Sequence, residues 1–272
     1  MNTKVLYNEI PISDRKKILL KIRDMVDKNK EVLTNTLYYD LHKPSFESKH
    51  MEIIPVLNEI DYHLENFESW ILEKKWVNPL TYLTLVLSGR SKCSIERMPY
   101  GKVLIIGAWN YPINLSLMPL IGAISAGNSV HLVLPDLTYT HHTSGKIYSL
   151  FKAYFPNSNY INVDYGSKDK IQSLLKYKWD FIFFTGSKRV GQIVYKQAAE
   201  QLTPVVLELG GKSPCIINSK INNLLIKRIV WGKFTNCGQT CIAPDYILIQ
   251  KKYANEILPV IKKTIIDFYG NN

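Results

Sequence analysis

Only four cysteines, Cys93, Cys215, Cys237 and Cys241, occur in 272 residues. That is too few for a disulfide framework in a chain this long, and it points to a reducing compartment, with the cytoplasm as the default. Cys237 and Cys241 form a C-x3-C pair without a histidine or a second cysteine pair at zinc spacing, which argues against a metal site. Long apolar runs are missing as well. The nearest, Ile113 to Gly127, contains Asn114, Ser116 and Pro119 and falls short of the ~20 apolar residues of a membrane span. The opening Met1-Asn2-Thr3-Lys4 lacks the apolar core of a signal peptide. There is no long run of one charge. The 34 Lys+Arg against 23 Asp+Glu leave a net charge of +11, enough to attract anions. These basic residues are scattered in pairs such as Lys16-Lys17, Lys74-Lys75, Lys188-Arg189, Lys227-Arg228 and Lys262-Lys263, so no nucleic-acid arm is expected. The ordinary dinucleotide fingerprint G-x-G-x-x-G is absent, as are internal repeats and low-complexity segments.

What is present is the composition of a soluble globular protein, 46% hydrophobic and 21% charged, with room for one large or two ordinary domains. The first third reads as helices. Ser13 is placed to cap a helix whose Ile18, Ile22, Met25 and Val26 share a face. Ile53, Leu57, Ile60, Leu64, Phe67 and Ile71 then form one continuous core-facing stripe. Pro55 is expected to kink or shorten that helix in its first turns.

From residue 100 the texture changes to short β-branched runs. Val103–Ile106, Val130–Val133, Tyr160–Val163, Phe181–Phe184 and Val205–Leu207 each read as a buried strand, with helix-length segments at 114–126, 140–154, 168–176 and 188–202. This alternation predicts an α/β fold, a parallel sheet with helices on both faces. Ligands bind such a sheet at the carboxyl ends of its strands.

Four segments carry candidate chemistry. Ile105-Ile106-Gly107-Ala108-Trp109-Asn110-Tyr111-Pro112 runs from a strand end towards a helix, and Asn110 there is either an oxyanion donor or a helix cap. Phe183-Phe184-Thr185-Gly186-Ser187-Lys188-Arg189-Val190-Gly191 is either an anion site at a helix start or a plain turn. Leu207-Glu208-Leu209-Gly210-Gly211-Lys212 puts a carboxylate at a strand end, either a base or a solvent-facing acid. Asn236-Cys237-Gly238-Gln239-Thr240-Cys241 supplies a thiol in a polar turn. A soft nucleophile and a carboxylate able to activate water are what a thioester-forming enzyme needs. Cys215 and Cys93 read as packing residues.

Together with Thr185-Gly186-Ser187, Leu207–Pro214 and Gly238-Gln239-Thr240-Cys241-Ile242-Ala243-Pro244-Asp245-Tyr246, the segment Ile106–Pro112 resembles the aldehyde dehydrogenase superfamily, most closely its class 3 branch for fatty and aromatic aldehydes. Similarity runs from Arg15 to Gly270 and includes Asp40-Leu41-His42-Lys43-Pro44. The resemblance implies a Rossmann-type sheet and NAD(P)-dependent oxidation of an aldehyde. Cys241 would be the nucleophile, Glu208 the base, and Asn110 an oxyanion donor. Ile106, Gly107, Trp109, Thr185, Gly186, Ser187, Gly191 and Leu209 would line the site for NAD or NADP; Tyr111, Trp231 and Thr240 would flank the aldehyde. It further implies a dinucleotide-binding domain at 1–84 and 98–209, a remnant of an oligomerisation arm at 85–97, and the first part of a catalytic domain at 210–272. Relatives of this kind are homodimers and continue beyond the equivalent of Asn272, so the second domain and the subunit interface are expected to be incomplete. No membrane anchor is expected.

The chain departs from the family pattern after Gly127-Asn128-Ser129-Val130. Where the family carries Lys-Pro-Ser-Glu, this chain has Val133-Leu134-Pro135-Asp136. Val133 cannot donate a hydrogen bond and Asp136 is one methylene short of Glu, a loss of roughly 1.5–3 kcal/mol for a charged hydrogen bond. Weakened cofactor affinity is therefore expected, with the choice of NAD or NADP open. Alternative readings are a catalytically inactive dinucleotide-binding or interaction protein of the same descent, and a cofactor-independent esterase.

Overall fold

The computed structural model describes residues 9–72, 74–75, 83, 87 and 94–270. Cys93 and most of the expected arm at 85–97 (85, 86 and 88–93) lie outside the described residues. The chain forms two compact units, one of residues 1–184 and 195–206, the other of residues 185–194 and 207–272.

The first unit begins with three helices, α1 (Ile12–Lys28), α2 (Lys30–Leu41) and the short α3 (Ser45–Ser48). The chain passes from α3 through a π-helical turn, Lys49–Ile53, directly into α4 (Ile54–Ile71). Ser13 does not cap α1. That helix starts at Ile12 after Pro11, whose carbonyl accepts the N–H groups of Asp14 and Arg15. Proline at the boundary sets the entry dihedral, so the hydroxyl one residue inside is not required. The expected stripe forms along α4. Of its members Ile53, Ile60 and Phe67 are fully buried and Leu57, Leu64 and Ile71 half-buried, while Val56 is buried beside them. Pro55 does not break the helix, because it sits beside the π turn. Having no N–H, it gives nothing to the carbonyl of Met51, and Asn114 Nδ2 fills that gap at 2.9 Å.

A two-residue ribbon, β1 (Lys74–Lys75) with β2 (Ser94–Ile95), precedes the main sheet. The sheet contains β3 (Lys102–Ile106), β4 (Ser129–Leu134), β5 (Ile161–Tyr165), β6 (Phe181–Gly186) and β7 (Val205–Leu209), in the order β5-β4-β3-β6-β7. β3 pairs in parallel with β4 and β6, and β4 with β5. The direction of winding reverses at β3, as in doubly wound nucleotide-binding folds. The connecting helices are α5 (Asn114–Ser125), α6 (Leu137–Tyr154), α7 (Lys168–Leu174) and α8 (Lys188–Glu200). Val103 to Ile106 and Leu132 to Leu134 are buried, as central strands should be. The expectation of a buried strand fails at β7. That strand occupies the sheet edge, and Val206 and Glu208 are exposed between half-buried neighbours. An edge position, not residue type, sets its alternation.

Helix α6 bends at Thr140, whose backbone leaves the helical region. Asp40 at the end of α2 receives the N–H groups of His142 at 3.0 Å and Thr143 at 2.7 Å, so one carboxylate caps the second segment of α6.

On β4, His131 stands edge-on to Trp179. Its Nε2 lies 3.1 Å from Asp164 Oδ2, and its Nδ1 lies 3.2 Å from Asn162 Nδ2. An amide N–H donor to Nδ1 requires a neutral ring with its proton on Nε2, donated to Asp164. Burial pushes the His131 pKa below its ordinary value, against the pull of Asp164. The unfolded chain therefore binds the proton more readily than the folded one. His131 contributes stability above about pH 6.5, and that contribution is lost as pH falls through the folded pKa. Urea unfolding followed between about pH 5 and 8 should show a smaller pH dependence in His131→Gln than in the parent; identical slopes would refute the assignment.

The second unit holds a two-stranded parallel sheet, β8 (Ser213–Ile217) with β9 (Pro244–Ile249). Helices α9 (Asn223–Phe234) and α10 (Lys251–Tyr269) pack with it around Ile217, Ile226, Val230 and Ile257. Cys215 packs against this core, and burial pushes its thiol pKa up, in keeping with a packing role. Ile216, Tyr246 and Leu248 are exposed on the strands.

Candidate active site

In the first unit, β3 delivers Ile106, buried at the strand end, into the turn that carries Gly107, Trp109, Asn110 and Tyr111. Asn110 is half-buried and does not cap α5, which starts at Asn114. The cap comes from elsewhere in the chain: Glu52 Oε2 accepts the N–H groups of Ile113 at 2.9 Å and Asn114 at 3.1 Å. Its other oxygen, Oε1, lies 2.5 Å from Lys43 Nζ, with side-chain exposures of 0% and 1%. Lys43 Nζ also donates to the carbonyl of Asn110 at 3.1 Å and sits 4.3 Å from the centre of the Tyr111 ring. Burial pushes the Glu52 carboxyl pKa up, against the opposing pull of Lys43 and of the two main-chain N–H groups. Lys43 was visible in the sequence only as part of a motif, and Glu52 carried no reading at all. A signal existed: Glu52 precedes Val56 and Ile60 at four-residue spacing, a carboxylate on a buried helical face.

Trp109 is 40% exposed and faces Tyr139 with 6.2 Å between ring centres. Val133 is buried at the end of β4. Asp136 is taken up locally, its Oδ1 accepting the N–H of Thr138 at 2.8 Å and the hydroxyl of Thr138 at 2.7 Å, which makes it the N-cap of α6.

In the second unit, Thr185 and Gly186 end β6 and Ser187 precedes α8. Ser187 Oγ accepts the Val190 N–H at 3.4 Å, and its carbonyl accepts that of Gly191 at 2.9 Å. Thr185 Oγ1 is buried and without a hydrogen-bond partner among the described residues. An orphaned hydroxyl beside a helix start is what a phosphate-bearing ligand would satisfy.

Glu208 is exposed on β7 and Leu209 ends that strand. The chain then turns through Gly210 and Gly211 into β8, while Cys241 leads within three residues into β9. Because β8 and β9 run parallel, with Ser213 opposite Pro244, the segments entering them must lie side by side. A Cβ on Gly211 would stand 2.5 Å from the carbonyl oxygen of Cys241, so only glycine fits. Lys212 and Asp245 pair across the same end at 3.1 Å.

The turn before Cys241 is strained. Asn236 and Cys237 both adopt left-handed φ values, 54° and 55°, at a cost of about 1–3 kcal/mol each. Gln239 Nε2 donates to the Asn236 carbonyl at 3.0 Å and Asn236 Nδ2 to the Gln239 carbonyl at 3.2 Å, a reciprocal clasp that holds the loop. Cys237 and Cys241 are exposed free thiols. Thr240 is half-buried beside them, and Trp231 on α9 is 48% exposed. Among the described residues, no cluster of three or more His, Cys, Asp or Glu side chains is placed to hold a metal.

Comparison with known proteins agrees with this organisation. The model of the aldehyde dehydrogenase family matches residues 3–268. Aldehyde dehydrogenase family 3 member A2 of Pongo abelii is 42% identical over 264 residues, covering 96% of this chain and 52% of that protein. The 4,4'-diapolycopene-4,4'-dial dehydrogenase of Cytobacillus firmus is 41% identical over 94% of this chain and 55% of its own length. Among solved structures, substrate-bound AldH of Staphylococcus aureus superposes with a TM-score of 0.89 at 39% identity, covering 97% of this chain and 56% of that one. The chain thus spans about half the length of the relatives it matches. With motifs, strand order and similarity along nearly all its residues in agreement, this chain belongs to the aldehyde dehydrogenase family, within its class 3 branch.

Proposed function

We propose that this chain carries the nucleophile, base and oxyanion donor for NAD- or NADP-dependent oxidation of an aldehyde to a carboxylic acid. One observation carries the reading: the Glu208–Gly211 segment enters β8 against the backbone of Cys241, the carboxylate strand beside the thiol loop. The Cys241 thiolate adds to the aldehyde carbon, and the carbonyl electrons move to oxygen to give a thiohemiacetal oxyanion. The Asn110 side-chain amide and the Cys241 main-chain N–H donate to that oxygen. Bound NAD or NADP would supply the hydride acceptor, and the thioester would remain on Cys241. Glu208 takes a proton from water as the water oxygen attacks the thioester carbon, which expels the Cys241 thiolate and leaves the acid.

Thr185, Gly186, Ser187 and Gly191 are the residues we assign to the cofactor's phosphates, supported by the unpartnered Thr185 hydroxyl. Ile106, Gly107, Trp109 and Leu209 complete that assignment, and Tyr111, Trp231 and Thr240 are assigned to the aldehyde. Residues 1–84 and 98–209 then serve as the nucleotide domain, 210–272 as part of the catalytic domain, and 85–97 as part of an arm for pairing with a second copy. A reducing compartment, the cytoplasm, suits the exposed thiols of Cys237 and Cys241.

Purified protein mixed with NAD or NADP and a medium-chain aldehyde should raise the absorbance at 340 nm. Silence with both cofactors, together with a Cys241 that resists thiol-selective labelling, would remove the enzymatic reading. Nucleotide binding by calorimetry without turnover would point instead to a dinucleotide-binding protein, whereas loss of binding itself would trace to Val133 and the locally engaged Asp136.

A further inference from the structure

The Lys43–Glu52 ion pair is wholly buried in the first unit. Burying an ion pair costs several kcal/mol per ion, and the pair holds its place only where every polar atom is satisfied. Here each is. The ammonium of Lys43 is engaged in three directions, by Glu52 Oε1, by the Asn110 carbonyl and by the Tyr111 ring. The carboxylate of Glu52 is engaged by Lys43 and by the N–H groups of Ile113 and Asn114. Two further bonds brace the frame: Asn114 Nδ2 reaches the Met51 carbonyl that Pro55 leaves open, and Ser48 Oγ donates to the Lys43 carbonyl at 3.3 Å. All of these residues belong to the first unit. The two charges thus grip the turn after β3 at its middle, through the carbonyl of Asn110, and at its far end, at the start of α5.

We propose that Lys43 and Glu52 are positioning residues, a buried clamp that holds the turn carrying Asn110 and Tyr111 in one conformation so that the Asn110 amide needs no reorganisation to receive a developing oxyanion. This inference rests on the oxyanion role proposed for Asn110. A preorganised donor is worth far more than one that must first be ordered. The clamp also explains why a charged pair is kept where apolar side chains would pack: the Asn110 carbonyl and the first N–H groups of α5 need partners that an apolar residue cannot supply.

The test uses the full chain. Removing one charge leaves its partner buried alone and risks unfolding, so the informative variant is the double replacement Lys43→Met with Glu52→Gln. The amide oxygen introduced by Glu52→Gln can still accept from the start of α5, and no lone charge remains. Hydrogen exchange by mass spectrometry is read on the peptide covering 107–115. We expect it to exchange at least about tenfold faster in the double variant, with cooperative melting and exchange elsewhere retained. For aldehyde oxidation we expect kcat to fall about 10- to 100-fold with KM for the nucleotide changed less than about threefold, a loss of preorganised donation. Added to Asn110→Ala, the same double variant should lower kcat less than about threefold further. Unchanged exchange at 107–115 in a folded double variant overturns the clamp, whether or not the chain turns over. Parent-like kcat in the double variant beside a crippled Asn110→Ala overturns it while leaving the Asn110 reading intact. Parent-like kcat in Asn110→Ala itself removes the oxyanion role, and the clamp's catalytic purpose with it.

Discussion

Cys241→Ala is expected to abolish aldehyde oxidation, lowering turnover by at least about 10³-fold while leaving nucleotide binding and the fold in place. Cys241 is exposed in a loop, so its replacement removes no core contact. Its backbone position is set by Gly211, by the parallel pairing of β8 with β9 and by the Asn236–Gln239 clasp, none of which uses the sulfur. What is lost is the bond-forming atom alone. Glu208→Gln should separate the two halves of the reaction. Acylation proceeds but deacylation slows, so a single burst of absorbance at 340 nm precedes a steady rate reduced by about 10²–10⁴-fold. Intact-mass labelling of the parent should modify Cys237 and Cys241 ahead of half-buried Cys215, whose raised pKa makes it the poorer nucleophile. Undiminished oxidation by Cys241→Ala would end the covalent mechanism.

Arg15→Leu should lower stability by about 3–4 kcal/mol, without reference to any chemistry at the site. Arg15 is 2% exposed. Its Nε donates to the Ile10 carbonyl at 2.7 Å, its Nη1 to the Ser125 carbonyl at 3.1 Å, and its Nη2 to Glu9 at 2.7 Å. Ser125 is the last residue of α5, so the guanidinium satisfies a helix-end carbonyl and complements the negative end of that helix. Leucine leaves two buried carbonyls without partners. Gly127 belongs to the same arrangement. Its φ is +95°, and a Cβ there would lie 2.3 Å from Arg15 Nη2. Gly127→Ala should therefore cost about 2–3 kcal/mol through backbone strain and displacement of the arginine together. Urea midpoints measure both. If the two effects share the guanidinium, the double variant will lose less than the sum of the singles. A parent-like midpoint for Arg15→Leu would show that the buried guanidinium contributes nothing.

Much of the architecture was legible along the chain because its determinants are local. The stripe from Ile53 to Ile71 appears where its spacing places it, most deeply buried at Ile53, Ile60 and Phe67, and five strands and four helices alternate as the β-branched runs and helical segments foretell. Motifs around Asn110, Thr185, Glu208 and Cys241 marked the family because each is a short segment with its own chemistry. Helix ends were the least legible feature. Ser13 does not cap α1, which begins after Pro11; of the two readings open for Asn110, the cap of α5 falls to Glu52 instead; and Asp136 caps its own helix. Any donor or acceptor that folding brings within reach can satisfy a helix end.

The sequence by itself determined the kind of fold, the family and the reactive residue types, since periodicity, turn chemistry and motif are properties of neighbours along the chain. Only the tertiary structure decided that β7 would stand at an edge, that Gly211 would pass against Cys241, and that Lys43 and Glu52 would close on a turn some sixty residues away. The physical reason is desolvation. Helical spacing can set Glu52 on an apolar face but cannot name its partners; once packing removes its water, the few groups within about 3 Å settle where it can stay.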